Sequence, residues 1–294
     1  MSTTISSSRT KCGPVCSHLN FGNLDVRATD YIRDIVKIAE KRFGSTAIDG
    51  VIVFGSVVHK QTSKISDVDL LLIVEDRIST REIKKLAGIF HSVEIKHNFS
   101  HPTHNIFEMI LHMVEMTTGM FRSFFVARHS DWMKGNFASI FGTNPIVTKL
   151  LAPDKIVLNS VISGARLLYG SPELLKTHFG IEPGQMIKSL MMDSAIAIGT
   201  LAILPLDRNN MKYSLEALKW AFRATFVYLF GKTDRFSIVQ KSFATLGISD
   251  SIIGKLNSLR KSLRPDWFYA IQIPYQILKI HILGFSHHKR FFEI

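Results

Sequence analysis

Cysteine and long apolar runs are scarce in this sequence. Its two cysteines, Cys12 and Cys16, lie near the N-terminus and are too few for a disulfide framework. A metal site there would need more ligands than His18 adds, because a structural zinc ion takes four. We therefore expect two free thiols in a flexible tail. Residues 1–20 are rich in Ser and Thr and lack an apolar centre, which argues against a secretory signal.

The most apolar stretch, Ser194–Leu206, is short for a membrane span. It has thirteen residues, whereas roughly twenty are needed to cross a bilayer. We interpret it as a buried helix of a cytoplasmic protein that has no membrane partner. The sequence is 46% hydrophobic and 20% charged, which excludes a disordered chain. Its 294 residues leave room for two modest domains.

Acidic residues are fewer than basic ones, and the imbalance is uneven along the chain. The formal net charge is +12. Residues 103–294 carry 22 basic and 13 acidic residues, whereas residues 28–102 carry 11 and 10. This partition favours an anionic partner for the C-terminal two-thirds. A generally basic surface of a soluble protein is the alternative.

Hydrophobic spacing predicts five elements before residue 102. In chain order these are a helix from an N-cap at Thr29 to Gly44, strands over Ala47–Phe54 and Val68–Val74, a helix from the Ser79–Glu82 capping box to about Phe90, and a strand over His91–His97. Such elements pack as a small sheet with helices against it.

Beyond Pro102 the spacing is helical and we expect no strand. The predicted helices are Asn105–Arg128, Asp154–Tyr169, Gly184–Leu204, Tyr213–Phe230, Arg235–Leu246, Asp250–Leu263 and Phe268–Phe285, with Pro274 expected to kink or shorten the last. The predicted fold class is α+β. It consists of a flexible tail over residues 1–27, a small mixed-sheet catalytic domain over 28–102 and an all-helical acceptor-binding domain over 103–294.

The two predicted apolar strands are joined through residues suited to phosphate and metal. Gly55-Ser56 follows the first strand, where glycine lets the backbone approach a phosphate and amides and the Ser56 hydroxyl can donate to it. The second strand opens with Asp67-Val68-Asp69, and alternation puts both carboxylates on one face. Two such acids repel each other unless a cation lies between them, so we predict a Mg²⁺ site.

Solvated carboxylates on an exposed strand are the alternative explanation of Asp67 and Asp69. The strand is otherwise apolar from Val68 to Val74, where carboxylates without a partner are costly. We therefore favour the metal site. Two ions ~3.5–4 Å apart would activate the attacking oxygen and stabilise the leaving pyrophosphate.

These residues together carry a family resemblance. Phe54-Gly55-Ser56, a spacer and then Ser66-Asp67-Val68-Asp69-Leu70-Leu71 resemble the DNA polymerase β-like nucleotidyltransferase superfamily. The resemblance is greatest to small archaeal and bacterial members that pair a minimal catalytic domain with a helical domain, and it covers about residues 29–97. It implies that Gly55 and Ser56 hold the nucleoside triphosphate and that Asp67 and Asp69 bind Mg²⁺.

The resemblance also implies a third carboxylate on the next strand. Glu94 in Val93-Glu94-Ile95 has the required pattern, and it would join the metal site and orient or deprotonate the acceptor hydroxyl. A surface glutamate on a strand is the alternative. Many relatives carry basic residues directly after Gly-Ser, but Val57 and Val58 follow here. His59, Lys60 and Lys64 are left to contact phosphates.

Other candidates lie in the C-terminal part of the sequence. The basic cluster consists of Lys255, Arg260, Lys261 and Arg264 and is a candidate acceptor-binding surface, although solvated helix faces explain it equally well. A second basic run, His287–Arg290, lies beside Phe291. Arg122 and His129 have the spacing of certain helical ribonucleases, but such a spacing also recurs by chance.

The predicted activity is Mg²⁺-dependent transfer of a nucleoside monophosphate from an NTP to an acceptor hydroxyl. An RNA 3′ end, such as that of a tRNA, is the favoured acceptor because the helical part is basic. A small-molecule hydroxyl and a protein hydroxyl remain alternatives. So do a non-catalytic nucleotide or RNA binder and a helical ribonuclease. The sequence leaves the choice of NTP and the oligomeric state open.

Overall fold

The structure, a computed structural model, describes residues 13–58, 68–97, 99, 124–205 and 210–291. The chain divides into two compact units. The sheet unit comprises Met1–Met109, Phe121–Lys134 and Arg166–Leu174, and the helical unit comprises Ile110–Met120, Gly135–Ala165 and Leu175–Ile294. Because the sheet unit includes segments from beyond residue 102, the predicted continuous domains at 28–102 and 103–294 do not match these units.

The sheet unit is built on a mixed four-stranded sheet. Its described elements are helices α1 (Pro14–Ser17), α2 (Val26–Phe43), α3 (Thr80–Lys96) and α4 (His129–Lys134), and strands β1 (Ile48–Phe54), β2 (Asp69–Val74), β3 (Phe124–Arg128) and β4 (Arg166–Gly170). The strand order is β3-β2-β1-β4. Strand β1 is antiparallel to β2 and β4, and β2 is parallel to β3. The predicted α+β fold class is confirmed.

Helix α2 forms because its apolar residues recur at helical spacing and its first turn is capped. The Asp25 carboxylate accepts a hydrogen bond from the Ala28 N–H at 2.8 Å, so the N-cap is Asp25 and not the predicted Thr29. Gly44 ends the helix with φ +84°. The buried face of α2 packs with α3 residues on one face of the sheet, formed by Val51, Val53, Leu70, Leu72 and Val74.

Helix α3 continues through a segment predicted to be a strand. Its capping box at Ser79 and Glu82 is confirmed, but the helix runs on to Lys96. Leu86, Phe90 and Val93 follow each other at helical spacing and all join the core. The prediction of a strand over His91–His97 is therefore wrong, because helical spacing and not alternation governs which residues are buried.

Strands β3 and β4 lie in a region where no strand was expected. The Phe124–Arg128 segment was predicted to end a helix, and Asp154–Tyr169 was predicted to be helical throughout. Instead, helix formation stops at Gly164 and Arg166–Gly170 pairs with β1. A two-stranded hairpin alone is marginally stable in water, so pairing of β1 and β2 with additional strands stabilises the sheet.

The described part of the predicted tail is ordered against α2. Val15 and Cys16 are buried, and the Val15 N–H donates to Glu40 Oε1 at 2.7 Å. Cys16 takes part in a disulfide. The expectations of a flexible tail up to residue 27 and of two free thiols are therefore wrong for residues 13–25 and for Cys16.

The helical unit contains eight helices in the described residues. They are α5 (Phe137–Phe141), α6 (Pro145–Leu151), α7 (Asp154–Gly164), α8 (Pro183–Ile203), α9 (Met211–Phe230), α10 (Phe236–Thr245), α11 (Asp250–Lys261) and α12 (Trp267–Phe291). The last five confirm the helices predicted from Gly184 onward. Helix α12 is continuous through Pro274, which therefore does not end it.

Helix α9 lies at the centre of the helical unit and packs against α7, α8, α10, α11 and α12. Leu218, Ala221 and Phe222 on α9 are fully buried. Helix α8 is long and apolar enough to cross a membrane, with a mean hydropathy of 1.5 over its most apolar window. That test uses only length and composition, and the core helix of a soluble protein also passes it.

Candidate active site

The end of β1 and the start of β2 meet at the candidate active site. Phe54 pairs with Asp69 in the antiparallel ladder. Gly55 then opens a short 3₁₀ turn, Gly55–Val57, with φ +79°. A Cβ atom added at Gly55 would collide with the Asp69 carboxylate. Glycine is thus required here both for the positive φ and for the close approach of the carboxylate to the turn.

Alternation along β2 decides which way the Asp69 carboxylate faces. Val68 and Leu70 are buried in the core that includes α2 and α3. Asp69 therefore projects from the opposite face of the sheet. The predicted burial of Val68 is confirmed, and Asp67 lies outside the described residues.

An aromatic pair lies on the same face of the sheet as Asp69. Phe54 is directly opposite Asp69, and Phe125 is paired with Leu71, which shares the Asp69 face. The Phe54 and Phe125 rings stack with centroids 6.1 Å apart and an interplanar angle of 23°. The carboxylate therefore borders an apolar aromatic surface. The sequence prediction did not include these two rings, although their strand positions could have indicated them.

Glu94 does not have the predicted position. It lies in the last turn of α3, is buried, and its Oε2 is 3.2 Å from His91 Nδ1. Helix α3 covers the sheet face opposite to Asp69. The prediction that Glu94 lies on a strand beside Asp69 is therefore wrong, because Glu94 lies on helix α3. On the side of β2 away from β1 the neighbouring strand is β3, whose residues Phe124–Arg128 include no Asp or Glu.

The other predicted nucleotide ligands are only partly within the described chain. The Ser56 backbone belongs to the Gly55–Val57 turn. Lys60 and Lys64 lie outside the described residues. In the part of the chain that the structure describes, no group of three or more His, Cys, Asp or Glu side chains could hold a metal ion.

Two members of the predicted acceptor-binding cluster are held in ion pairs. Arg260 Nε lies 3.2 Å from Glu216 Oε1, and Lys219 contacts the same carboxylate. Burial alone would raise the pKa of Glu216, but these two cations hold it below its usual value. Lys255 Nζ lies 2.5 Å from Asp266 Oδ2. This contact, with a hydrogen bond from a backbone N–H, lowers the pKa of Asp266.

The remaining members of the cluster, Lys261 and Arg264, are exposed. All four side chains of the cluster reach solvent, but Lys255 and Arg260 are engaged in ion pairs, and no ion pair is seen for Lys261 or Arg264 among the described residues. The ribonuclease alternative is weakened as well. That alternative places Arg122 and His129 at the end of one helix. In the structure strand β3 directly precedes His129, which begins α4, so no helix ends at His129. Arg122 lies outside the described residues.

The sequence prediction did not include the contact between Asp49 and His129. Asp49 Oδ2 lies 3.2 Å from His129 Nδ1. Burial raises the pKa of Asp49, and His129 opposes that rise. The β1–β2 register pairs Ile48 with Val74 at this end and Phe54 with Asp69 at the other. Asp49 therefore lies at the opposite end of the hairpin from the candidate active site.

Comparisons with known proteins agree with this geometry. Residues 32–122 match the family of nucleotidyltransferase domains. No curated protein matches the sequence. Among solved structures, the spectinomycin adenyltransferase from Enterococcus faecialis, crystallised with ATP and spectinomycin, is similar with a TM-score of 0.50 and 11% sequence identity. The similarity covers 87% of this chain and 98% of that chain, and it concerns the fold.

The matched segment includes most of α2 and all of β1, the Gly55 turn, β2 and α3, which are the elements that position Asp69. The sequence resemblance and the family match therefore agree that residues 32–122 belong to a nucleotidyltransferase domain of the DNA polymerase β-like superfamily.

Proposed function

We propose that this protein transfers a nucleoside monophosphate from an NTP to a hydroxyl group of a small molecule, with Mg²⁺ held by Asp67 and Asp69. Pyrophosphate is the leaving group. The observation that carries the proposal is the Asp69 carboxylate, which the β1–β2 register and Gly55 hold against the turn that follows β1. A phosphate at that turn would lie beside the carboxylate.

Asp69 is suited to a magnesium ion. Its carboxylate oxygens are hard donors of the kind that Mg²⁺ takes, and the residue is partly exposed at the start of β2. Gly55 leaves room for that carboxylate where any other residue would place a Cβ. The alternation predicted from the sequence assigns Asp67 to the same face. When bound, Mg²⁺ supplies charge stabilisation for the triphosphate and the departing pyrophosphate.

The residues of the turn bind and orient the triphosphate in this proposal. Successive backbone N–H groups in a tight turn with a positive φ form an anion-binding concavity, and Gly55–Val57 is such a turn. The Ser56 hydroxyl, Lys60 and Lys64 add donors to the phosphates. The α-phosphorus is then oriented for in-line attack by the acceptor hydroxyl.

A small-molecule acceptor is favoured over RNA by the state of the basic cluster. Lys255 and Arg260 are engaged with Asp266 and Glu216, and release of Arg260 would remove one of the two cations that offset burial of Glu216. The solved structure of similar fold is that of an adenyltransferase with ATP and spectinomycin. Both points support a compact polyhydroxylated acceptor.

RNA is a second candidate because the net charge of the protein is +12 and is concentrated in residues 103–294. Lys261 and Arg264 are exposed and could contact phosphates. The two candidates differ in their dependence on salt, since each phosphate contact of a single strand contributes about −0.7 to the slope of log affinity against log salt.

The test is a transfer assay with the full chain. Each labelled NTP is incubated with Mg²⁺ and either total RNA or a panel of polyhydroxylated small molecules that includes spectinomycin. We expect label in a small-molecule product whose mass has grown by one nucleoside monophosphate. Asp69→Asn should abolish transfer, whereas the matched variant Asp49→Asn, at the other end of the same strands, should retain it.

Two outcomes would contradict the proposal. Label found only in RNA would overturn the small-molecule acceptor. It should then be accompanied by a salt slope that flattens by more than about one unit in the double variant Lys261→Gln/Arg264→Gln. Absence of labelled product with every NTP and both acceptor pools would argue against transfer to either class.

A further inference from the structure

Helices α8 and α12 present an uncharged apolar face to solvent. On α8 the exposed positions are Pro183, Gly184, Ile187, Met191, Ala195, Ile198, Gly199 and Ala202. On the described side chains of α12 they are Trp267, Phe268, Ile271, Tyr275, Leu278, Ile282 and Ser286. Neither set contains a charged residue, although one residue in five of the whole sequence is charged.

The two sets belong to one surface. Helices α8 and α12 pack against each other and both pack on α9. They are antiparallel, because Gly284 near the end of α12 lies beside Met186 near the start of α8, and His281 lies 3.7 Å from Asp193. The positions directed away from α9 therefore form a two-helix layer, which we call the α8–α12 face.

The spacing on this face is that of helix–helix packing. From Phe268 to Ile282 the exposed residues of α12 step by three, four, three and four positions. Such a repeat is the pattern by which one helix packs along another. The side chains are large and well exposed, with Phe268 at 77% and Tyr275 at 64%. Isolated exposed apolar residues are ordinary, but a contiguous patch of this kind marks an interface.

We propose that the α8–α12 face is the interface of a homodimer, in which a second copy of this chain covers it around a two-fold axis. The face is complementary to itself. Large residues on α12, such as Ile271 and Leu278, can pack over small residues on α8, such as Ala195 and Gly199. A two-fold axis makes that contact twice.

The charge and the area of the face also fit a second copy. Each chain carries +12, and a face without exposed charge lets two copies meet without like-charge repulsion at the contact itself. Two helices of about 20 residues are ~30 Å long and pack 8–10 Å apart, which gives a face of roughly 600 Å² in outline. Protruding side chains add to it, and a standard interface buries about 800 Å² per partner.

A membrane surface is the other occupant to be tested. Anionic lipids would be recognised by Lys and Arg next to the apolar residues. The fully exposed positions of α8 and α12 in the described chain include none. Lys188 and Lys279 adjoin the face but are half-buried, and Lys279 Nζ donates to the Gly247 carbonyl.

The test is the mass of the full chain in solution, measured by sedimentation between about 1 and 100 µM, a range typical of specific association. We expect a dimer for the native chain and a monomer for the double variant Ile271→Glu/Leu278→Glu. Burying unpaired charges should weaken association by at least about 100-fold. Both residues are exposed in the single chain, so the melting profile of the monomeric variant should still show a folded protein. The control Ile238→Glu, an exposed position on α10, should remain dimeric.

Three results would overturn the proposal. One is a native chain that is monomeric throughout the range, and another is a double variant that dimerises as tightly as the native chain. The third is a native monomer that co-floats with vesicles of phosphatidylcholine and phosphatidylglycerol while the double variant does not. That result would assign the face to a lipid surface.

Discussion

The sheet unit and the helical unit differ in what they expose. Both bury polar groups, Glu94 in the sheet unit and Asp193 and His281 in the helical unit. In the sheet unit Asp69 lies at a strand end where it is partly exposed, so this carboxylate is available for chemistry. In the helical unit large residues such as Phe268 on α12 face solvent, which leaves apolar surface for association.

The largest effect should come from the one described acid of the candidate active site. Asp69→Ala removes a carboxylate that we propose binds Mg²⁺, so nucleotidyl transfer should fall to background. The fold should persist, and relief of repulsion between neighbouring carboxylates can even raise the melting temperature. Parallel transfer and melting measurements check this, with Asp49→Ala as control. Transfer at the native rate by the Asp69 variant would refute the assignment.

The next prediction compares Gly55→Ala with Gly44→Ala, to separate the effect of backbone strain from that of displacing the Asp69 carboxylate. Gly55→Ala introduces a Cβ that must displace the Asp69 carboxylate, and a displacement of about 1 Å can cost on the order of 10²-fold in rate. Gly44→Ala has the same unfavourable positive φ but meets nothing within 4 Å. It should cost about 1–3 kcal/mol of stability and leave the rate unchanged. Equal rates for the two variants would contradict the role of Gly55.

A third effect concerns the buried pair of the helical unit. Burial lowers the pKa of His281 to about 4, from an ordinary value of 6.5. Between these values the unfolded chain binds more protons than the folded chain, so stability should fall as pH decreases from 6.5 toward 4. The contribution of His281 alone to this loss should approach about 3 kcal/mol, at 1.36 kcal/mol per pKa unit.

Asp193 on α8 faces His281 and acts in the opposite direction. Burial raises its pKa well above its usual value, so its contribution is present at low pH and is lost as pH rises through the folded-state pKa. Urea unfolding against pH checks both signs. His281→Gln should remove the decline below pH 6.5, while replacement of the exposed His178 by Gln should not. An unchanged decline in the His281 variant would mean that other groups cause it.

The smallest effect should be at Glu94. If Glu94 deprotonated the acceptor hydroxyl, as the family resemblance implies, its loss would cost on the order of 10²–10⁴-fold in rate, the usual scale for a positioned base. Its place on α3, on the other side of the sheet from Asp69, predicts instead that Glu94→Gln transfers within about twofold of the native rate. A steady-state comparison of kcat decides between these expectations. A loss in the larger range would mean that Glu94 reaches the acceptor after all.

Prediction from sequence succeeded for segments whose local hydrophobic pattern is compatible with only one type of secondary structure. The apolar runs of β1 and β2 were rich in Val, Ile and Leu and too short for helices, so both strands were found. Gly55 and Asp69 were identified from the turn and the strand that they begin. The helices from α8 to α12 were also found, because their apolar spacing extends over many turns.

Prediction failed where a short segment fits more than one structure. The sequences of β3 and β4 are five residues long and adjoin helical patterns, so only pairing with β2 and β1 makes them strands. The segment His91–His97 alternates like a strand, yet Phe90 and Val93 are both buried when it continues α3. The ion pairs of Lys255 and Arg260 bring together residues distant in sequence, which no local pattern indicates.

The amino-acid sequence alone determined where Gly55 and Asp69 lie, because both are placed by local geometry: a positive φ and the alternation of a strand. Only the tertiary structure decided which further groups stand near them. In the fold Glu94 lies on the other side of the sheet from Asp69, Phe125 stacks on Phe54, and apolar residues of α8 and α12 are exposed to solvent. The reason is physical, since burial and contact depend on which elements pack together, and an apolar residue has the same local preference whether it faces a core or a second protein.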